Sequence, residues 1–143
     1  MTALKLLAKD SDDLMIIAAA LQDAILRVAD ISYHKPSRSV SLRLWRYRNE
    51  SGGQERILTA LRFDDIMDVK VRDIERSDPE ALLVLLDAKF TAGEVAPGGE
   101  ILLQFAGGGE LQLTVEAIEV ILSDVSEPLT TDKVPIHPDF SSE

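Results

Sequence analysis

The chain has 143 residues, of which 45% are hydrophobic and 28% are charged, and its formal net charge at pH 7 is −10. This length predicts a single domain, which is large enough to fold without a disulfide or a structural metal. The absence of cysteine excludes a disulfide framework, a thiolate nucleophile and the cysteine-bearing zinc motifs.

The charge is distributed unevenly along the chain. Residues 1–76 contain 13 basic and 12 acidic residues, whereas residues 77–143 contain 2 basic and 13 acidic residues. An acidic half repels nucleic acids and anionic lipids, so we expect solubility to be the main consequence of the charge. The longest apolar run, Leu14–Leu21, is far shorter than the roughly 20 residues of a membrane span. We therefore expect a cytoplasmic protein that binds no membrane and no cofactor.

The first predicted element is a helix. Asp10 to Asp13 supply an N-cap and first-turn carboxylates, which suit the positive end of a helix dipole. The apolar residues that follow recur at the spacing i, i+3, i+4 and i+7, at Leu14, Ile17, Ala18 and Leu21. This spacing predicts a helix that buries one face.

From Ile25 onward the apolar period becomes two, which predicts antiparallel strands with one face in a core. Ile31 and Tyr33 share a face before a turn at 34–38, and a loop is predicted at 49–54. Five segments alternate most clearly, and we expect one phase of each to face inward: Val40, Leu42, Leu44; Ile57, Thr59, Leu61, Phe63; Met67, Val69, Val71; Ile101, Leu103, Phe105; Leu111, Leu113, Val115.

Two segments are less clearly patterned. Asp78 and Pro79 predict one helical turn at about 78–82, followed by a strand that runs to about Thr91 and pairs with 101–105. The spacing in 117–125 fits a short helix, although a continued strand also fits. From Ser126 the prolines and the scarcity of apolar residues predict a loose tail.

Together these elements predict an α+β fold. Residues 1–125 are expected to form one domain, with an antiparallel meander of about six or seven strands and an N-terminal helix. The sequence also allows a short C-terminal helix. We expect a curved sheet or a partly closed barrel of the pleckstrin-homology-like kind, with a tail at 126–143. A fold-level analogy of this sort implies no function.

Five short segments carry a resemblance to a known family. They are Leu21-Gln22-Asp23-Ala24, Leu61-Arg62-Phe63, Arg76-Ser77-Asp78, Phe105-Ala106-Gly107-Gly108-Gly109 and Glu116-Ala117-Ile118-Glu119. By their order and spacing, over nearly the whole chain up to the tail, the sequence resembles the bacterial family called domain of unknown function 2948 (DUF2948). Trp45-Arg46-Tyr47 departs from the Asn-Arg-Phe type of strand expected there. The resemblance implies no activity.

Several motifs that could carry chemistry favour a structural interpretation. His34 and His137 lie in a predicted turn and in the tail, with no spacing that would preorganise a zinc site. Aspartates 64, 65 and 68 could form an acid–base pair, but aspartates in turns commonly bond their own backbone. The glycine triplet 107–109 precedes strand-like sequence, so it predicts a hairpin turn and not a phosphate cradle. We therefore expect no catalytic residue and no metal ligand.

The best positive signal lies in the strand at 40–47. Residues 31–49 contain five basic residues and no acidic one, and we assign the binding residues there as Arg43, Trp45, Arg46 and Tyr47. An arginine and aromatic surface can bind a phosphate, a carboxylate or a protein, although cross-strand packing explains the same pattern.

Three functions remain open at this point. The leading hypothesis is a non-enzymatic module that binds a protein partner, or a second copy of the chain, through a sheet edge or the Arg43, Trp45 and Tyr47 face. The alternative is a small-molecule binder or enzyme with a pocket in the curve of the sheet, where polar groups such as His34 or Asp64 converge. Nucleic-acid binding through the basic strand 35–48 is less favoured.

Overall fold

A computed structural model describes residues 4–47, 55–125 and 129–130 of the chain. These residues form one α-helix, α1 (Ser11–Leu21), one 3-10 turn at Val28–Asp30, and eleven strands. The strands are β1 (Lys5–Ala8), β2 (Ile25–Arg27), β3 (Ile31–His34), β4 (Ser39–Tyr47), β5 (Glu55–Phe63), β6 (Ile66–Arg72), β7 (Leu82–Ala92), β8 (Gly99–Phe105), β9 (Glu110–Val115), β10 (Val120–Asp124) and β11 (Leu129–Thr130).

The predicted N-terminal helix is confirmed. The side chain of Asp10 caps α1 by accepting a hydrogen bond from the backbone N–H of Asp13 at 2.8 Å. The four predicted inward residues are all buried, and they are Leu14, Ile17, Ala18 and Leu21. The helix packs against β7 and β1, which fixes it over one part of the sheet.

The strands form one antiparallel sheet with the order β1-β10-β5-β4-β2-β7-β8-β9-β6, in which β11 also pairs with β5 and β3 with β4. The α+β class and the antiparallel sheet are confirmed, but the prediction of six or seven strands is too low. The missed strands, such as β1, β2 and β10, have five residues or fewer, which is too short for alternation to identify them. The sheet is not closed.

The core shows that the sheet curves around a single interior. Leu42 and Leu44 of β4 belong to the same buried cluster as Leu103 of β8 and Leu113 of β9. Because β4 and β9 are far apart in the strand order, their apolar faces can share a core only if the sheet bends. The predicted inward phase of the β4–β5 hairpin is confirmed, with Leu42 opposite Leu61.

The structure settles the two less clearly patterned segments. The single turn predicted at about 78–82 is present, since the N–H of Ala81 donates to the carbonyl of Asp78, and the strand predicted to follow it is β7, which begins at Leu82. A helix cannot continue because the carbonyls of Pro79 and Ala81 accept hydrogen bonds from residues 29 and 28. The helix considered for 117–125 is replaced by β10, which pairs with β1 and β5 on its two edges.

Parts of the predicted loop and tail lie outside the described residues. The loop at 49–54 is not described, and of the tail at 126–143 only 129–130 are, which pair with Arg56 and Glu55 as β11. In the described ranges, no helix has the length and apolar character that crossing a lipid bilayer requires.

Candidate functional site

Two strands with one unpaired edge each approach one another at the open side of the sheet. In the described part of the chain, β3 pairs only with β4, and β6 pairs only with β9. The two strands meet at one end, where the N–H of Ile66 donates to the carbonyl of Arg38 at 3.0 Å. β3 leads into the turn that contains Arg38, and β6 starts at Ile66. The chain therefore runs toward this contact in β3 and away from it in β6.

A groove of about 1030 Å³ lies between β3 and β6, and we call it the seam groove. Its floor is apolar and includes Ile31 of β3, Val69 and Val71 of β6, and Ile74. These four side chains are only partly buried, although all of them pack against the main core. The seam groove therefore exposes apolar surface where the sheet would otherwise be closed by strand pairing.

The rim of the seam groove carries charged side chains. Lys35, Arg38 and Arg76 contribute positive charges, and Asp68 and Glu116 contribute negative ones. Arg38 and Glu116 form an ion pair with each other, and the Lys35 ammonium lies 6.0 Å from the centre of the Tyr33 ring. Among the described residues, neither Lys35 nor Arg76 forms an ion pair. The rim thus retains two cations that a ligand can reach.

A β-bulge changes which side chains of β6 face inward. The pairing of β6 with β9 shifts between Ile66 and Asp68, so that Met67 falls at the irregularity. Ile66 is buried and Met67 is 57% exposed, so the prediction that Met67 faces inward is wrong. A bulge inserts one residue and redirects the side chains beside it. Met67 is consequently exposed and lines the seam groove.

The predicted binding residues of β4 lie outside the seam groove. Arg43 and Tyr47 are partly buried and Trp45 is buried, all three in the alternation phase opposite to Leu44. The guanidinium of Arg56 stacks 3.7 Å from the centre of the Tyr47 ring and donates to the carbonyl of Trp45 at 3.0 Å. Part of this face is therefore covered by contacts within the protein, and its use in binding stays a prediction.

Arg46 takes a different position from the other three. It lies in the inward phase with 1% of its side chain exposed, and its guanidinium donates to both carboxylate oxygens of Asp124 at 3.0 and 2.8 Å. The same carboxylate accepts hydrogen bonds from the Thr59 hydroxyl and from the Leu4 N–H, both at 2.8 Å. This network joins four neighbouring strands or their flanks.

Asp124 and Arg27 are described residues with clearly shifted pKa values, and both belong to ion pairs within the fold. Burial alone would raise the pKa of Asp124, but the hydrogen bonds from Arg46, Leu4 and Thr59 outweigh it, so the pKa is lowered. Hydrogen bonds from its guanidinium to Asp30 raise the pKa of Arg27. Neither Asp124 nor Arg27 lines the seam groove.

The motifs considered for catalysis occupy separate places. Nδ1 of His34 lies 2.7 Å from the Ser37 hydroxyl in the exposed β3–β4 turn, and His137 is outside the described residues. Asp64 accepts a hydrogen bond from Arg62 at 2.8 Å, whereas Asp68 lies at the rim of the seam groove. The described ranges contain no group of three or more His, Asp and Glu side chains that could hold a metal ion.

The glycine triplet forms the predicted hairpin turn. The N–H of Phe105 donates to the carbonyl of Gly109 at 2.8 Å, which closes the turn between β8 and β9. Gly107 and Gly108 have φ values of 90° and 103°, which side-chain-bearing residues rarely adopt. The glycine triplet therefore allows the backbone to make the turn between β8 and β9.

Sequence reasoning missed the seam groove, because its walls come from strands that are distant in the chain and do not pair. The available sequence signal was weak. Alternation identifies β3 and β6 as strands, but it does not show that one edge of each strand lacks a partner.

Comparisons with known proteins give a family and no activity. A family model described as "Protein of unknown function (DUF2948)" matches residues 4–137. No curated protein matches the chain, and no solved structure matches it. The site must therefore be interpreted from its own geometry.

Proposed function

The chain belongs to the DUF2948 family, and we propose that it is a non-enzymatic binding domain whose seam groove takes up an extended segment of a protein partner. In this proposal the partner segment adds a strand to the free edge of β3 or β6. The domain that does so comprises residues 1–125.

The observation that carries the proposal is the pair of unpaired strand edges beside one apolar groove. A free edge presents a row of backbone N–H and C=O groups, which another extended chain can satisfy. Natural proteins often protect such edges with charges and bulges, and β6 carries Asp68, Lys70 and Arg72 and a bulge at its start. It is nevertheless seven residues long and borders exposed apolar surface. Strand addition to an exposed edge is a recurring mode of peptide recognition.

The floor of the seam groove suits a peptide side-chain pattern. Val69 and Val71 are two residues apart on β6, so they lie on the same face of the strand. A partner strand aligned with β6 would place every second side chain against them, while its backbone supplies the hydrogen bonds. Backbone bonding would then provide affinity, and the apolar floor would provide selectivity for alternating apolar residues.

A small molecule is the second candidate occupant, and the volume of the seam groove favours it. Ligand pockets typically occupy about 300–1,000 Å³ and combine apolar walls with a few convergent polar groups. In the seam groove the charged groups lie at the rim, and neither His34 nor Asp64 lines it. This arrangement supports an extended segment over a compact ligand.

The test is a selection of peptides against the purified protein. A displayed library of random 12-residue peptides is selected on the wild-type chain, and the affinity of each recovered peptide is then measured by fluorescence anisotropy. Val71→Lys inserts a charge into the floor of the seam groove, and Val125→Lys makes the same change at an exposed valine after β10.

We expect Val71→Lys to weaken binding of the selected peptides by about tenfold or more, since it buries a charge against an apolar side chain. Val125→Lys should bind as the wild type does. The proposal fails if the selection yields no peptide sensitive to Val71→Lys. If the selected peptides ignore this variant but a small-molecule screen finds a ligand that it blocks, the second candidate replaces the first.

Two finer features belong to the same proposal. The curved, unclosed antiparallel sheet supports a pleckstrin-homology-like architecture, although architecture alone assigns no function. The absence of cysteine supports a cytoplasmic location.

A further inference from the structure

The helix α1 is apolar on its outer face as well as on its buried face. Met15 is 66% exposed and Ile16 is 58% exposed, and Ala19 completes an outward stripe at the spacing i, i+1 and i+4. A surface helix normally carries charged or polar residues on this side, and a helix that is apolar all round is normally buried. The outer stripe of α1 therefore has the composition of a covered surface.

The apolar stripe continues onto the sheet. A groove of about 570 Å³ runs between α1 and β7, with Met15, Ala18 and Ala19 on the helix side. Leu86, which is 43% exposed, and Phe90 form part of the other side. We call this surface the α1 face. Small residues such as the two alanines let a second helix approach closely, and helices pack about 8–10 Å apart.

The border of the α1 face is acidic. Asp12 and Asp13 lie in the first turn of α1, and Asp23 follows its last turn. The helix itself contains no lysine or arginine. On the strand side Asp87 and Lys89 both line the groove and lie 3.9 Å apart, so their charges offset each other and the negative charge of the border comes from the two ends of α1. An apolar stripe with this border attracts positive charge and repels a second acidic surface.

We propose that the α1 face docks an amphipathic helix of a partner protein, whose apolar stripe is bordered by lysine and arginine. A second copy of the chain fits poorly, because it would set the acidic border of one copy against that of the other. An anionic lipid surface is repelled for the same reason. The α1 face and the seam groove share no lining residue, so this proposal stands independently of the first.

The probe is a designed peptide of 14 residues made of leucine and lysine, with leucine at the spacing i, i+3, i+4 and i+7. A second peptide has glutamate in place of each lysine. Binding is measured at 150 mM salt to the wild type and to the double variant Met15→Gln/Ile16→Gln, which leaves the net charge unchanged. The matched control is Leu82→Gln/Val95→Gln, which replaces two exposed apolar side chains outside the groove.

We expect the lysine peptide to bind the wild type and the control equally, and to bind the double variant about tenfold more weakly. The glutamate peptide should bind none of them. Circular dichroism and thermal unfolding establish that each variant folds, as expected for exposed positions.

Four results would overturn the proposal. The lysine peptide could fail to bind the wild type, or it could bind the double variant equally well, which would indicate attraction to the overall negative charge. Binding of both peptides would show that the acidic border does not select a positively charged partner. Binding to phosphatidylcholine vesicles that depends on Met15 and Ile16, in place of peptide binding, would assign the α1 face to a lipid surface. The seam-groove variant Val71→Lys should leave this peptide's affinity unchanged.

Discussion

Arg46 and Asp124 are joined by two parallel hydrogen bonds although they lie 78 residues apart in the chain. One residue belongs to β4 and the other to β10, and β5 lies between these strands in the sheet. Thr59 of β5 donates to the same carboxylate, so the pair ties three consecutive strands together. Both charged side chains are about 1% exposed. Removing either charge would therefore leave the other one buried without its counter-charge.

Replacing one partner of this pair should be strongly destabilising. Asp124→Asn leaves the buried Arg46 guanidinium without its counter-charge, and breaking a buried pair in this way typically costs about 3–5 kcal/mol. Urea unfolding measures the change in the free energy of unfolding. The matched control, Asp87→Asn, changes a carboxylate that is 44% exposed, and it should stay within about 0.5 kcal/mol of the wild type. Equal stability of the two variants would contradict the structural role of the pair.

The Asp124 carboxylate should make the free energy of unfolding depend on pH in the acid range. The folded-state pKa of Asp124 is lowered, so its contribution is complete above the unfolded-state pKa of about 3.9. That contribution is lost as the pH falls through the folded-state pKa, because the folded carboxylate is then protonated. Urea unfolding between pH 7 and pH 2.5 should give a smaller acid loss for Asp124→Asn than for the wild type. Parallel pH profiles for the two proteins would be inconsistent with the lowered pKa.

Truncation of two neighbouring residues at the β6 bulge should change the free energy of unfolding by very different amounts. Ile66→Ala removes a buried side chain and should cost about 2–5 kcal/mol. Met67→Ala removes an exposed one and should change the free energy of unfolding by less than about 0.5 kcal/mol. Alternation in the sequence predicts the reverse order, since it pairs Met67 with Val69 and Val71. Denaturant unfolding of the two variants decides between these orders.

The start of β8 should not tolerate a side chain. A Cβ atom at Gly99 would lie 2.3 Å from the carbonyl oxygen of Thr91 and 2.6 Å from the Phe90 ring. The contact with the Thr91 carbonyl involves backbone that is paired in the β7–β8 ladder, so relief requires a shift of the strand. We expect Gly99→Ala to lower stability by about 1–3 kcal/mol, visible as a lower melting temperature. An unchanged melting temperature would show that the hairpin adjusts without cost.

Much of the fold follows from local sequence. The cap at Asp10 and the spacing of Leu14, Ile17, Ala18 and Leu21 specify α1 without any distant contact. The long strands β4 and β5 likewise show their inward phase directly. Local periodicity fails where tertiary structure decides, as in β10, whose strand conformation depends on pairing with β1 and β5.

The candidate functional surfaces were harder to predict for related reasons. The sequence singled out Arg46 as a binding residue, but its partner Asp124 is distant in the chain, and no local pattern indicates their pairing. The seam groove depends on two strand edges that do not pair, which is a property of topology. The outer residues of α1, Met15 and Ile16, were visible in the sequence, but only the structure establishes that they are exposed.

In the proposed function, the free edges beside the seam groove receive a partner strand. Amide hydrogen exchange measures this directly, because an N–H that gains a hydrogen bond exchanges more slowly. We expect a selected peptide to slow exchange within β3 or β6 and to leave exchange in the paired interior of β4 unchanged. A bound peptide that leaves the exchange of residues 31–34 and 66–72 unchanged would contradict the proposed function.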